Sequence, residues 1–445
     1  MIKRYTNQEM GSIWTELFKK RCWFRVELAG LWAKEQLCMV PAGTYDSARR
    51  KRITEKTLAE ADKLEKVNDH DLIAFVLAVT KKLIGWARVY FHAGFTSYDI
   101  EDTGLALQLV ESLKLIMKKM RQLRAVIRKK ASEHRYTIEI GRTHNIHAEP
   151  ITFGFKLLGW LDVIERHIKY LALLQEEISV GTLSGAVGVY ALDPRVEKLA
   201  CEFLGLRPAK ISTQILSRDF LVRYTSTLAA IVNSIDRFAT EIRHLAGTDV
   251  GEVAEFKKPG AKGSSAMPGK SMLRNPIKSE NVCGLAKVAR GHLITAFECE
   301  IVWYERTIDN SSPERIYLPD LTILTDFVLG RFTQTLEKLE VFPEQMMRNL
   351  WKTGGIVFAQ RVMLKLVEKG MARHKAYEIL ENLALSVKHG TFLTENGETF
   401  MDLVFKTSSI TNRLSGVELQ KCFDPKESLR YIDTIFARFG IKKKK

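Results

Sequence analysis

The densest set of chemically capable side chains lies in GSSAMPGKSMLRNPIKSEN, residues 263–281. Ser264, Ser265, Lys270, Arg274, Lys278 and Glu280 fall within this one segment, punctuated by Gly263, Pro268, Gly269 and Pro276. Glycine and proline at this density cannot continue a helix. A cationic, hinge-rich loop between two apolar-periodic stretches is a natural seat for chemistry. The competing reading is a disordered linker. The interleaved Met267, Leu273 and Ile277 argue against it, because a solvated linker has no use for apolar side chains.

Five further segments carry groups of the right kind. HAGFTSYD, residues 92–99, offers His92, Thr96, Ser97 and Asp99, and its hydroxyls can cap a helix or hold a carboxylate. GRTHNIHAEPITFG, residues 141–154, holds His144 and His147 three apart before a proline, so not on a regular helix. A general acid or base suits such a histidine, and a structural role is the alternative. No HExxH pattern or third ligand accompanies the pair, so no metal is expected. SGAVG, residues 184–188, allows close backbone approach, and STQILSRD, residues 212–219, offers Gln214 before a long periodic stretch. ERTIDNSSPERIYLPD, residues 305–320, sets Arg306 and Arg315 around Ser311. That arrangement makes either an anion clamp or a helix junction bridged through Glu305 and Glu314.

Long helices must position these loops. Leu109, Leu113, Ile116, Met120, Leu123 and Ile127 recur at helical spacing, as do Leu157, Trp160, Ile164, Leu171, Leu174 and Ile178. The third seam is Leu221, Tyr224, Leu228, Ile231, Ile235, Phe238, Ile242 and Leu245. Such seams favour near-parallel packing of long helices. Strand signals are nearly absent. The expectation is an all-α chain of three helical domains: 1–105, a central long-helix bundle over 106–350, and a shorter-helix domain over 351–445 with breaks at Gly354–Gly355, Gly370, Gly390 and Gly397. Trp160, Tyr170 and Phe238 suggest that the bundle continues into an oligomeric core.

Bulk composition narrows the class. The 445 residues are 46% hydrophobic, enough for a large core, yet no apolar run approaches the ~18 residues of a membrane span. The N-terminus lacks an apolar signal core, and the six cysteines show no paired spacing, so a reduced cytoplasmic setting is expected. A net charge of +16 suits an anionic partner. Its spread along the chain and the lack of any nucleic-acid-binding motif favour a small anionic molecule over nucleic acid or membrane. The one dense run, Lys442–Lys445, reads as a solvated terminus.

Taken together, GSSAMP, GRTHNIHAEPITFG, STQILSRD and SSPERIYLPD resemble the fumarase/aspartase superfamily of lyases, and within it the adenylosuccinate lyases. The likeness covers essentially the whole chain. It implies a homotetramer with a helical core, active sites built from three subunits, and β-elimination of fumarate from adenylosuccinate (giving AMP) and from SAICAR (giving AICAR), without metal or organic cofactor. By the same resemblance Ser264 is the general base, His144 the general acid and Glu280 its partner. A serine can act as a base only where cations or N–H groups stabilise its alkoxide, and Lys270 and the loop amides are the candidates. Substrate contacts carry over to Arg4, Tyr5, His70, Asp71, His92, Thr96, Ser97, Gln214, Ser265, Lys270, Asn275, Arg306, Ser311 and Arg315.

The chain also departs from the family pattern. Gly269 replaces a histidine, three extra residues (Ser271–Leu273) precede Arg274, Asn145 replaces a glycine, and Thr307 and Asn310 replace an aspartate and a histidine. Lys270 and Arg274 therefore compete for the loop's cationic role. The alternatives to the adenylosuccinate reading are a diverged lyase releasing fumarate from another aspartyl adduct and a catalytically silent binding protein.

Overall fold

The computed structural model describes residues 1–442; Lys443–Lys445, most of the terminal lysine run, lie outside the described residues. The fold is all-α. Five long helices, Ser97–Glu133, Phe153–Ile178, Asp219–Leu245, Ile277–Glu298 and Ser311–Glu337, dominate it. The Asp219 helix alone spans roughly 40 Å at 1.5 Å per residue. All three apolar seams are buried along their whole length: Leu113, Ile116, Leu157, Ile164, Leu228, Ile235 and Ile242 are each at most 1% exposed. The aromatic members behave differently from the interface expectation. Trp160 and Phe238 are buried within the chain and stack on each other at 4.8 Å, whereas Tyr170 is exposed. Their burial marks them as core residues of this chain.

The described residues divide into two compact units. One comprises Met1–Gln122, Glu165–Arg237 and Asn281–Phe332; the other comprises Leu123–Ile164, Phe238–Glu280 and the chain from Thr333 onward. Each long helix contributes residues to both. In the first unit, the Glu16–Gln36 helix buries Trp23 and Phe24 among Leu72, Phe75, Phe91 and Ile100. In the second, short helices between Pro343 and Ala437 gather Phe358, Phe400 and Phe423 into a core that also takes Leu350 and Ile140. The break at Gly354–Gly355 falls where both residues have positive φ, and a side chain at Gly355 would meet the Phe423 ring.

The sequence reading missed a β-hairpin. Ile138–Thr143 pairs antiparallel with Ile146–Thr152, leaving His144 and Asn145 as a two-residue loop. Burial of Ile140 in the second unit's core fixes this hairpin against the C-terminal helices. No helix among the described residues is long and apolar enough to cross a membrane.

Candidate active site

In the second unit, the Ser264 loop is ordered by its own backbone. Ser264 Oγ accepts hydrogen bonds from the amides of Ala266 and Met267 at 3.2 and 3.1 Å. An oxygen that already receives two N–H dipoles is biased towards its ionised form. The three extra residues form, with Lys270, a one-turn helix, Lys270–Leu273. That turn is tied down, because Lys257 Nζ donates to the Ser271 carbonyl at 3.1 Å. Arg274 ends the turn with positive φ and forms an ion pair with Glu340. Lys270, unlike Arg274, forms no ion pair among the described residues. Ser265 is exposed, and Asn275 sits at the entry to the Ile277–Glu298 helix, its carbonyl accepting from the Ile277 amide. Glu280 lies exposed in the first turn of that helix, beside an open cavity of about 250 Å³ lined by Thr240, Arg243, His244 and Pro276.

Gly263 sets how closely this loop can fold on itself. A Cβ there would stand 2.2 Å from the Lys270 carbonyl oxygen and 2.6 Å from the Ser271 amide. Both are backbone atoms, so the chain itself would have to move. Gly263→Ala is expected to lower kcat at least about tenfold, the equivalent of some 1–3 kcal/mol of overpacking. The melting temperature should hold, because the loop is largely exposed. Steady-state kinetics beside a thermal melt check this, and an unchanged kcat would mean the turn is dispensable.

The hairpin carries His144 at its tip. His144 and Asn145 have φ of 52° and 64°, the two left-handed positions of a type I′ turn. Asparagine tolerates that conformation better than other non-glycine residues, so the replacement of the family's glycine keeps the turn. Below the tip, Arg142 makes a bidentate pair with Glu252 at 3.0 and 2.6 Å, and Asn349 Nδ2 donates to the same carboxylate at 2.7 Å. Glu252 is fully buried, so this clamp holds the neck of the hairpin rigidly while His144 projects into solvent. His147 is half-buried, and burial pushes its imidazole towards the neutral form. No cluster of His, Cys, Asp or Glu able to hold a metal occurs among the described residues. No hydrogen bond or ion pair joins His144, Ser264 and Glu280 to one another in the chain.

In the first unit the remaining residues fall into several small bonded groups. His70 caps the Asp71–Thr80 helix and its Nε2 lies 3.3 Å from Ser97 Oγ. Asp71 accepts from Arg315 at 2.9 Å, which also approaches Glu101 at 3.9 Å. Burial pushes Glu101 up to about 7, and Asp71 adds to that shift. Gln214 accepts from Arg306 at 2.6 Å, and the Arg306 guanidinium lies 3.9 Å over the Tyr98 ring. Tyr98 in turn bonds Ser311. Thr96 is a helix cap: its amide donates to Asp99 at 2.8 Å, one half of a capping box. Glu314 pairs with the buried Arg218, which also pairs with Asp102. Arg4 and Tyr5 stand apart on the short turn Lys3–Tyr5, with Tyr5 edge-on to Phe327 at 5.3 Å.

Two acidic residues support the His92 loop, Asp99 within the HAGFTSYD segment and Glu27, which has no local signal. Asp99, fully buried, accepts from the Thr96 amide and from Gly185 of the SGAVG run at 3.2 Å. The Thr-x-x-Asp spacing was the signal for it. Glu27 pairs with His92 across 65 positions, and nothing local announced that.

Comparisons with known proteins agree with this architecture. Residues 48–291 match the family described as Lyase, and residues 355–439 match the one described as Adenylosuccinate lyase C-terminus. A relative from Synechocystis sp., named "Adenylosuccinate lyase", is 45% identical over 99% of this chain and 100% of its own length. Among solved structures, a fumarate lyase from Mesorhizobium sp. BNC1 superposes with a TM-score of 0.86 at 23% identity, covering 98% of this chain and 99% of the other. A 3-carboxy-cis,cis-muconate lactonizing enzyme from Pseudomonas putida gives 0.85 at 28%, covering 98% and 96%. With a family match across more than half its length and a full-length relative at that identity, the chain belongs to the adenylosuccinate lyase family.

Proposed function

We propose that the protein is a carbon–nitrogen lyase that eliminates fumarate from adenylosuccinate, giving AMP, and from SAICAR, giving AICAR. Full-length kinship with an adenylosuccinate lyase carries this reading. The chemistry needs a base for the proton beside a carboxylate, donors for the aci-carboxylate that results, and an acid for the departing nitrogen. Ser264, seated on two amides, takes the proton. Lys270 supplies positive charge to the same loop. The electron pair released at carbon expels the nitrogen as the double bond of fumarate forms, and His144, partnered by Glu280, protonates that nitrogen. Arg306, Gln214, Ser311, Arg315, His70, Asp71, His92, Thr96, Ser97, Arg4 and Tyr5 hold the phosphate and succinyl groups, with Ser265 and Asn275 contributing from the loop. The chain works as a cytoplasmic homotetramer whose sites combine residues of three subunits. That arrangement fits the absence of any bond among His144, Ser264 and Glu280 within one copy.

The tied-down insert gives a second reading some footing: an altered loop beside the base could suit a different aspartyl adduct. One experiment separates the two. Purified protein is expected to release fumarate from adenylosuccinate and from SAICAR in preference to other N-succinyl adducts, followed by the appearance of free fumarate. Release from another adduct alone would establish the second reading, and no release from any would remove both.

A further inference from the structure

The Glu16–Gln36 helix meets the HAGFTS loop with three residues of one face, Glu27, Gly30 and Lys34, spaced three and four apart. Glu27 Oε1 lies 2.6 Å from His92 Nδ1. A side chain at Gly30 would stand 2.4 Å from the Phe95 ring, so that ring lies directly on the helix backbone. Lys34 donates to the Ala93 carbonyl and its ammonium sits 4.0 Å over the same ring. These contacts hold His92 in a left-handed conformation, φ 61°.

Glu27 is the unusual member. Its side chain is fully buried, its second oxygen has no partner, and His92 is the only hydrogen-bonding partner of the first among the described residues. An isolated buried carboxylate is costly to retain, so its pairing with the ring needs a reason. We propose that Glu27 is a positioning residue that holds His92 protonated, with Nδ1–H turned inward and Nε2–H presented to an anionic group of the substrate. The inference rests on the lyase reading for the identity of that substrate, and on geometry alone for the pairing.

The surrounding charges support it. Burial by itself would push the His92 imidazole down; the Glu27 hydrogen bond and charge, with Asp99, outweigh burial and the opposing charge of Lys34, and raise it. Removing the Glu27 charge therefore leaves burial and Lys34 to win. The proton would then be lost at lower pH, and anion binding with it.

The test uses Glu27→Gln, which keeps size and a hydrogen-bond acceptor but removes the charge. Hydrogen–deuterium exchange at the imidazole carbon, followed by mass spectrometry, reads the His92 midpoint in the intact protein without substrate. The expected result is a fall of at least one pH unit. KM for adenylosuccinate should rise at least fivefold near pH 8 and recover as the pH is lowered, while kcat changes less. A merely structural role would raise KM equally at every pH. Glu27→Asp, which keeps the charge, should stay nearer the wild-type midpoint, and it decides the matter if the Gln variant does not fold. An unchanged midpoint in the charge-removing variant overturns the proposal. So does a lowered midpoint with a KM profile parallel to wild type. No turnover by the wild-type protein would instead sink the lyase reading, with the midpoint still deciding whether Glu27 holds the proton on His92.

Discussion

Replacing Ser264 with alanine is expected to lower kcat for fumarate release at least a thousandfold, while the fold and its melting temperature stay as they are. The magnitude is that of removing a group that takes a proton in the transition state, about 10²–10⁴ in rate. The upper part of that range applies because no neighbouring side chain stands ready to substitute. Ser265 is exposed and lacks the two amide bonds that bias Ser264 Oγ towards ionisation. Ser264→Ala also strips those amides of their acceptor, so the loss has two candidate causes, chemistry and loop disorder. Two measurements separate chemistry from loop disorder. Ser265→Ala, which leaves the turn intact, should cost less than tenfold. Substrate affinity of the Ser264→Ala protein by calorimetry should stay within a few-fold of KM for the parent. A kcat within tenfold of the parent would strike Ser264 from the base role.

The same loop shows what a sequence can and cannot disclose. Its unsuitability for a helix was legible, because glycine and proline act locally. The pairing of Arg274 was not, because its partner is Glu340, sixty-six positions away. Three of the long helices were legible from their seams, since a buried seam repeats wherever the helix runs. The Ser97–Glu133 helix begins well before its seam at Leu109, and the Ile277–Glu298 and Ser311–Glu337 helices carried no seam that marked them. The hairpin was not legible either. Its second strand, Ile146–Thr152, carries His147 and Glu149 and includes Pro150, with no clean apolar alternation. It owes its place to the core around Ile140 and to the Arg142–Glu252 clamp. Glu27 was hidden for a related reason. On a helix that buries Lys20 and Lys34 as well, charge no longer marks the solvent face. The candidate site was thus legible as a set of loops and motif residues. The partners that orient them from a distance, Glu27 and Glu252, belong to tertiary structure.

His144→Asn is the sharper test of the proposed acid. Alanine at this position would confound two effects, because φ of 52° penalises an ordinary side chain by about 1–2 kcal/mol. Asparagine accepts the left-handed turn, as Asn145 beside it already does at 64°. The hairpin neck, held by Arg142, Glu252 and Asn349, has no contact with the imidazole to lose. The melting temperature should therefore not move, and any loss belongs to the proton the imidazole would have delivered. That loss is expected at about a hundred- to ten-thousandfold in kcat, with KM little changed, since protonation of the nitrogen occurs on the way to the transition state and not in the bound ground state. If His144→Asn kept kcat within tenfold, the acid would have to be sought elsewhere. Conversely, Asn145→Gly should leave kcat alone, because glycine adopts the same turn. A large effect there would mean that the Asn145 side chain, and not only its backbone, takes part in the reaction.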